Sequence, residues 1–172
     1  MTKDCFDNTQ VILGLGSNRP WNGLDSFSIL AGAISELSKN LVNIKRASFY
    51  ETEPIPKSSQ NNFINTAAAG LFNGSPGKLL NLVNNIEAQF GRDRSKEIRW
   101  GERSLDIDIL LFGDLALTAP DLVIPHPRLE ERRFALEPLL ELWPSACSPV
   151  TGKLYREICD ALPEQGVCLL TC

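Results

Sequence analysis

The chain has 172 residues, 43% hydrophobic and 22% charged, with a formal net charge of −4 and a pI near 5.1. That length suits a single domain (1–172) with a buried core, and the acidic balance argues against a general nucleic-acid or anionic-membrane binder. No apolar run nears the roughly 20 residues of a membrane helix, and the polar start MTKDCFDNTQ carries no secretory pattern.

The five cysteines, Cys5, Cys147, Cys159, Cys168 and Cys172, are odd in number and form no C-x-x-C pair. His126 is the only histidine, so a zinc set is not expected. Free thiols in a reducing cytoplasm are the expectation.

In chain order, residues 1–9 read as a loose tail. Val11 to Leu15 is an apolar run ended by Gly16-Ser17-Asn18, predicting a buried first strand. Gly14-x-Gly16 would open a dinucleotide fingerprint, but the third glycine position holds Arg19. Leu24, Phe27, Leu30, Ile34 and Leu37 fall at helical spacing and predict an amphipathic helix. Val42 to Tyr50 reads as a second strand, and the Pro- and Ser-rich stretch 51–61 as a loop. Phe63 to Phe72 returns as a strand.

Ser75-Pro76 is a helix start, a capping hydroxyl followed by proline in the first turn. Leu79, Leu80, Val83, Ile86 and Phe90 give that helix its stripe, and Gly91 ends it. The stretch 74–78, GSPGK, lacks phosphate-loop spacing. Further on, Val123-Ile124 predicts a short strand. Arg128 to Leu142 reads as helix interrupted near Pro138, Leu154 to Leu162 as helix, and Val167 to Leu170 as a last strand. Strands and helices in this order suggest an α+β sandwich, an antiparallel sheet with helices packed on it.

The chemistry concentrates between Arg92 and Phe112. Arg92, Arg94, Lys96, Arg99 and Arg103 surround Trp100 and Gly101, with little apolar anchoring, and predict a segment that moves over a ligand. An apolar β-type run carrying Asp106 and Asp108 follows. Residues two apart on a strand share a face, so the carboxylates stand together, roughly 7 Å apart at about 3.3 Å rise per residue. Like charges resist such a placement unless something positive meets them. A divalent cation fits, because Mg²⁺ takes one or two carboxylates plus phosphate oxygens. Ion pairing with the nearby arginines fits too. Arginine is also the preferred fork for phosphate, so a cation-rich loop entering a carboxylate pair suits a nucleotide–metal complex.

The stretch Arg99-Trp100-Gly101-Glu102-Arg103-Ser104-Leu105-Asp106-Ile107-Asp108-Ile109-Leu110 resembles the signature of the 6-hydroxymethyl-7,8-dihydropterin pyrophosphokinases of folate biosynthesis. Gly16-Ser17-Asn18 after a strand and Phe63-Ile64-Asn65 extend the resemblance from about Val11 to Tyr155. It implies a ferredoxin-like α+β plan and transfer of pyrophosphate from ATP to a pterin hydroxymethyl group. Asp106 and Asp108 would hold two Mg²⁺ ions, with Arg92 and Arg103 on the triphosphate during transfer. Arg94 and Trp100 would close over the nucleotide, and Asn84, Glu87, Ile109, His126 and Arg132 would lie on the ATP side. Phe63 and Phe134 would sandwich the pterin, Asn65 would read its edge, and Thr52 and Ile55 would border it. The partners implied are these two small molecules, without nucleic acid or membrane, and the expected state is a monomer. Three features depart from the common pattern: Pro127 after His126, Pro56 where glycine is frequent nearby, and one extra residue between Arg94 and Trp100.

Two other classes fit parts of the pattern. A two-metal phosphodiesterase or nuclease could use the carboxylates but would want more metal ligands. A non-enzymatic nucleotide- or RNA-binding sandwich would want a basic surface and aromatic RNA-binding signature.

Overall fold

The computed structural model describes residues 7–54, 59–93 and 101–170. Among these residues eight strands and four helices follow one another as β1 (Thr9–Ser17), α1 (Ser26–Leu37), β2 (Leu41–Arg46), β3 (Phe49–Thr52), β4 (Phe63–Phe72) and α2 (Pro76–Gln89). Then come β5 (Asp106–Phe112), β6 (Leu117–Ala119), β7 (Leu122–Ile124), a 3-10 turn (Leu129–Glu131), α3 (Arg133–Leu142), α4 (Tyr155–Ala161) and β8 (Val167–Leu170). The main sheet runs β5-β1-β4-β3-β8, with β2 also on β4, and every pairing is antiparallel. This is the expected α+β plan, with helices on both faces of the sheet.

Alternation along the strands divides the core. Val11, Leu13 and Leu15 of β1, with Ile107 and Ile109 of β5, pack under α1 and α2. Ile12 and Leu110 face the other way, towards Leu136, Leu139 and Leu140 of α3. The register of β5 against β1 shifts between Ile12 and Leu13, which puts Leu110 and Leu111 together on the α3 side.

Several elements differ from the sequence reading for identifiable reasons. β1 begins at Thr9, so that residue belongs to the sheet and not to the tail. α1 starts only at Ser26, where the Asp25 carboxylate accepts the Ser28 N–H at 2.8 Å. Its buried stripe is Ile29, Leu30, Ala33 and Leu37, while Leu24 and Phe27 stay exposed. The expected second strand splits at Ala47-Ser48 into β2 and β3, because Ser48 N–H turns to the Glu141 carboxylate of α3 at 2.9 Å. Pro138 sits inside α3 without ending it. β6 lies opposite β7 across an Ala119-Pro120-Asp121-Leu122 turn, a punctuation signal present in the sequence. α2 matches its expected start, since Ser75 caps the Lys78 N–H ahead of Pro76.

Candidate active site

Register builds the site. β1 pairs Gly16 with Asp106 on one side and Asn65 on the other, and pairs Gly14 with Asp108 and Ala67. Laterally paired residues share a face, so Asp106, Gly16 and Asn65 form one row across three strands. At about 4.8 Å per strand, the carboxylate and amide ends of that row are roughly 10 Å apart, with only a glycine between them. A side chain on Gly16 would fill that gap: an added Cβ would sit 2.9 Å from Asn65 Oδ1. The two glycines that fail as a dinucleotide fingerprint are thus part of a cleft floor.

The cleft has a volume of about 260 Å³ and joins the two groups of residues singled out in the sequence. Asp106, Asp108, Arg103 and Arg132 line one part of it, and Thr52, Phe63, Asn65 and Phe134 line the other. Asn65 is buried and donates from Nδ2 to Thr52 Oγ1 at 2.8 Å, which fixes its amide. Phe63 comes from β4 in the floor, and Phe134 from the first turn of α3. The Arg132 guanidinium carbon lies 5.6 Å from the centroid of the Phe134 ring.

The carboxylates live in different fields. Asp106 meets Arg92 Nη1 at 2.5 Å and Arg103 Nη1 at 2.7 Å. Burial alone would raise its pKa, but the two guanidinium charges outweigh that and hold it below the usual carboxylate range. Asp108 has looser partners, Arg132 Nη1 at 3.4 Å and His126 Nε2 at 3.7 Å. Burial, together with the Asp106 charge, raises its pKa to about 7. His126 is pushed down to about 4 by burial and by the Arg132 charge, so it is neutral near pH 7.

Both readings of the acid pair therefore meet here. Without ligand, the arginines compensate Asp106 while Asp108 is left short of positive charge. The donors fit Mg²⁺: two hard oxygen groups on one face, lining a cleft. Among the described residues no cluster of three or more His, Cys, Asp or Glu could hold a metal ion. Phosphate oxygens and water would have to complete the shell, as is usual for this ion.

The charge imbalance has a consequence for stability. The folded-state pKa of Asp108, about 7, lies above its ordinary value of 3.8. The folded protein thus keeps a proton that the unfolded chain has released, and stability falls as pH rises from about 4 through 7. Asp108→Asn removes that penalty. It is expected to raise the melting temperature of ligand-free protein at pH 8 and to raise it much less at pH 5. Thermal unfolding at both pH values checks this, and an equal shift at both would contradict it.

Other expected site residues stand further back. Ile109 points its side chain into the core beneath α1 and α2, so only its main chain could meet a nucleotide. Glu87 lies buried on α2, accepts the Ile107 N–H at 2.7 Å and pairs with Arg92. Its visible position is that of a support for β5 and Arg92, away from the cleft lining. Asn84 is half-buried on α2, also outside the cleft, and its Oδ1 is buried without a partner among the described residues. His126 is tied to β5 by its N–H to the Leu110 carbonyl at 3.1 Å, which holds the ring near Asp108. Ile55, Arg94, Trp100 and Lys96 lie outside the described residues, as does most of the segment expected to close over the nucleotide.

Asn18 is among the residues to which the sequence reading assigns no role. Asn18 is 2% exposed and clamps the approach to β5, since its Oδ1 accepts the Arg103 N–H at 2.8 Å. Its own N–H donates to the Arg103 carbonyl at 3.0 Å, and its Nδ2 to the Asn61 carbonyl at 3.2 Å. Nearby, Trp21 packs on Gly91, where φ is +82° and an added Cβ would overlap the indole ring. The β1–α1 turn thus grips both ends of the basic segment. The only sequence signal was G-S-N after a strand.

The model of the 7,8-dihydro-6-hydroxymethylpterin-pyrophosphokinase family matches residues 12–144. The chain belongs to that family. It is 35% identical over 147 residues to a 2-amino-4-hydroxy-6-hydroxymethyldihydropteridine pyrophosphokinase of Aquifex aeolicus, covering 86% of this chain and 88% of that one. It is 37% identical over 134 residues to a folate synthesis bifunctional protein of Arabidopsis thaliana, of which it spans 27%. Its fold is also that of the crystal structure of wild-type Plasmodium falciparum HPPK-DHPS, with a TM-score of 0.69 at 16% identity. That superposition covers 92% of this chain and 45% of the Plasmodium chain. Thus, of the relatives named, the chain is nearly coextensive with the bacterial pyrophosphokinase, and it corresponds to less than half of the Arabidopsis and Plasmodium chains.

Proposed function

We propose that this chain transfers pyrophosphate from ATP to the hydroxymethyl oxygen of 6-hydroxymethyl-7,8-dihydropterin, releasing AMP. The observation that carries this is that one cleft is lined both by Phe63, Asn65 and Phe134 and by Asp106, Asp108 and Arg103, with Gly16 between Asn65 and Asp106. A flat heterocycle between two phenylalanines gains about 1–3 kcal/mol per stacked face, by analogy with base stacking. Asn65, already held by Thr52, keeps its remaining amide valences for the ring edge. The hydroxymethyl arm of a ring so placed reaches along the row towards the carboxylates.

In the transfer, the hydroxyl oxygen forms a bond to the β-phosphorus while the bond from that phosphorus to the α,β-bridging oxygen breaks. The hydroxyl proton leaves to solvent or a phosphate oxygen, and AMP carries away the bridging oxygen. Mg²⁺ held by Asp106 and Asp108 would supply Lewis-acid neutralisation of the phosphate oxygens. Arg103 carries an Nε–H that is buried without a partner among the described residues, a donor free for a phosphate oxygen. Arg132 offers a second cation at the α3 side of the same space. Such positioned cations stabilise the charge that spreads over a transferring phosphoryl group. His126, neutral at pH 7, stands beside Asp108 outside the cleft lining and adds no cation.

Neither a nuclease nor an RNA-binding sandwich accounts for the aromatic pair and Asn65. A monomer belongs to this proposal, as does a reducing cytoplasm, with which unpaired Cys147, Cys159 and Cys168 agree. Among the described residues no helix is long and apolar enough to cross a membrane. The test is AMP release from ATP and Mg²⁺ with the reduced pterin present and absent. Release that depends on the pterin supports the assignment, and pterin-independent release alone would overturn it.

A further inference from the structure

The start of α3 carries two cleft residues, Arg132 at the N-cap and Phe134 in the first turn, yet the N-cap side chain makes no capping bond. Arg132 occupies the N-cap position and makes no capping bond, which arginine cannot supply because it has no acceptor. The first N–H groups of a helix need outside partners. One partner comes from near the end of the chain. Gln165 Oε1 accepts the Arg133 N–H at 2.9 Å, and Gln165 Nε2 donates to the Glu131 carbonyl at 2.9 Å. A single amide thus holds the main chain on both sides of Arg132.

The segment carrying Gln165 is itself anchored at the pterin end of the cleft. Val167, two residues on, pairs with Thr52 across β8 and β3. On its other side the Leu162 carbonyl accepts from Arg133 Nη1 at 3.2 Å. Gln165 also lines the cleft. Residues 162–170 lie beyond the stretch 12–144 that the family model matches.

We infer that Gln165 is a positioning residue for the pterin-binding side of the cleft, acting through the main chain of residues 131–133 to set Phe134 and Arg132. The inference rests on the proposed function and deepens it. The amide is suited to the task because it presents a donor and an acceptor from one rigid plane. Without it, the Arg133 N–H and the Glu131 carbonyl would turn to water, and the first turn of α3 would fray. Phe134 would then close over the ring from a broader set of positions, and part of the stacking would be lost to ordering it.

Gln165→Met keeps the length and the apolar stem while removing both hydrogen bonds. The probe is 6-hydroxymethyl-7,8-dihydropterin, titrated by calorimetry into the full chain with Mg²⁺ and a non-reactive ATP analogue. Wild-type protein is expected to bind it, and Gln165→Met to bind it about fivefold to tenfold more weakly. In a Phe134→Ala background the same substitution is expected to change affinity less than about twofold, because its effect runs through a ring already absent. A purely structural role would lower the melting temperature in both backgrounds without that coupling. Unchanged pterin affinity in Gln165→Met, or an equal loss with and without Phe134, would overturn the inference. Failure of Gln165→Met to fold would overturn it too, by making the residue a support of the core. Wild-type protein that does not bind the pterin at all would instead overturn the proposed function.

Discussion

Asp108→Ala is expected to lower turnover by at least about a hundredfold at any accessible Mg²⁺ while leaving the ligand-free fold intact. The magnitude follows from losing a hard ligand that supplies several kcal/mol of charge stabilisation, at about 1.4 kcal/mol per tenfold in rate. The stability clause follows from the field around it. Asp108 is the carboxylate that burial and Asp106 make costly to ionise, so removing it relieves repulsion. Asp106→Ala is expected to lose activity equally, and stability as well, because Arg92 and Arg103 both lose a partner. The contrast separates metal binding from ion pairing. If the acids served only to pair with arginines, activity would follow stability, and Asp108→Ala would keep near wild-type turnover at saturating ATP. Turnover and thermal unfolding of both variants decide between them.

Arg103→Ala is expected to cut kcat by about a hundredfold to a thousandfold and to change the KM values by only a few fold. The reason is geometric. In the ligand-free protein Arg103 Nη1 rests on Asp106 while its Nε–H points to no partner among the described residues. Charge drawn onto the transferring phosphoryl group gives the guanidinium a better acceptor than it has beforehand, so its benefit rises towards the transition state. The residue is held at its root by Asn18, through N–H and carbonyl alike, so little ordering remains to be done at the moment of transfer. Steady-state kinetics give the answer. A rise in KM with kcat unchanged would make Arg103 a ground-state clamp.

The parts of the site legible in the sequence were those carried by local period and residue type. A strand alternates faces, so Asp106-x-Asp108 had to present both carboxylates together, and Ile107 and Ile109 had to go to the core. Ser75-Pro76 announced α2 for equally local reasons. What stayed hidden depends on partners far away in the chain. Nothing near Ser48 reveals that Glu141 will draw its N–H out of the sheet and divide a strand. Nothing near Gly16 reveals that register places it between Asp106 and Asn65, where the absence of a side chain makes room. Gln165 looks like an ordinary polar tail residue until α3 is seen to begin at an arginine without a cap. Leu24 falls outside the stripe of α1 because the Asp25 cap opens the helix only after it. Local rules place the two carboxylates on one face, the family resemblance points to the other candidate side chains, and long-range pairing builds the cleft around them.

Attack at the β-phosphorus is the central step of the proposed reaction, and the fate of the two outer phosphoryl groups tests it most directly. With ATP labelled in its β- and γ-phosphates, Mg²⁺ and the reduced pterin, both labels are expected to leave together as a diphosphate ester on the pterin, with unlabelled AMP released in equal amount. Phosphorus resonance and mass of the separated products read this out. A pterin carrying one phosphate, with ADP as the second product, would contradict the account however fast the reaction ran.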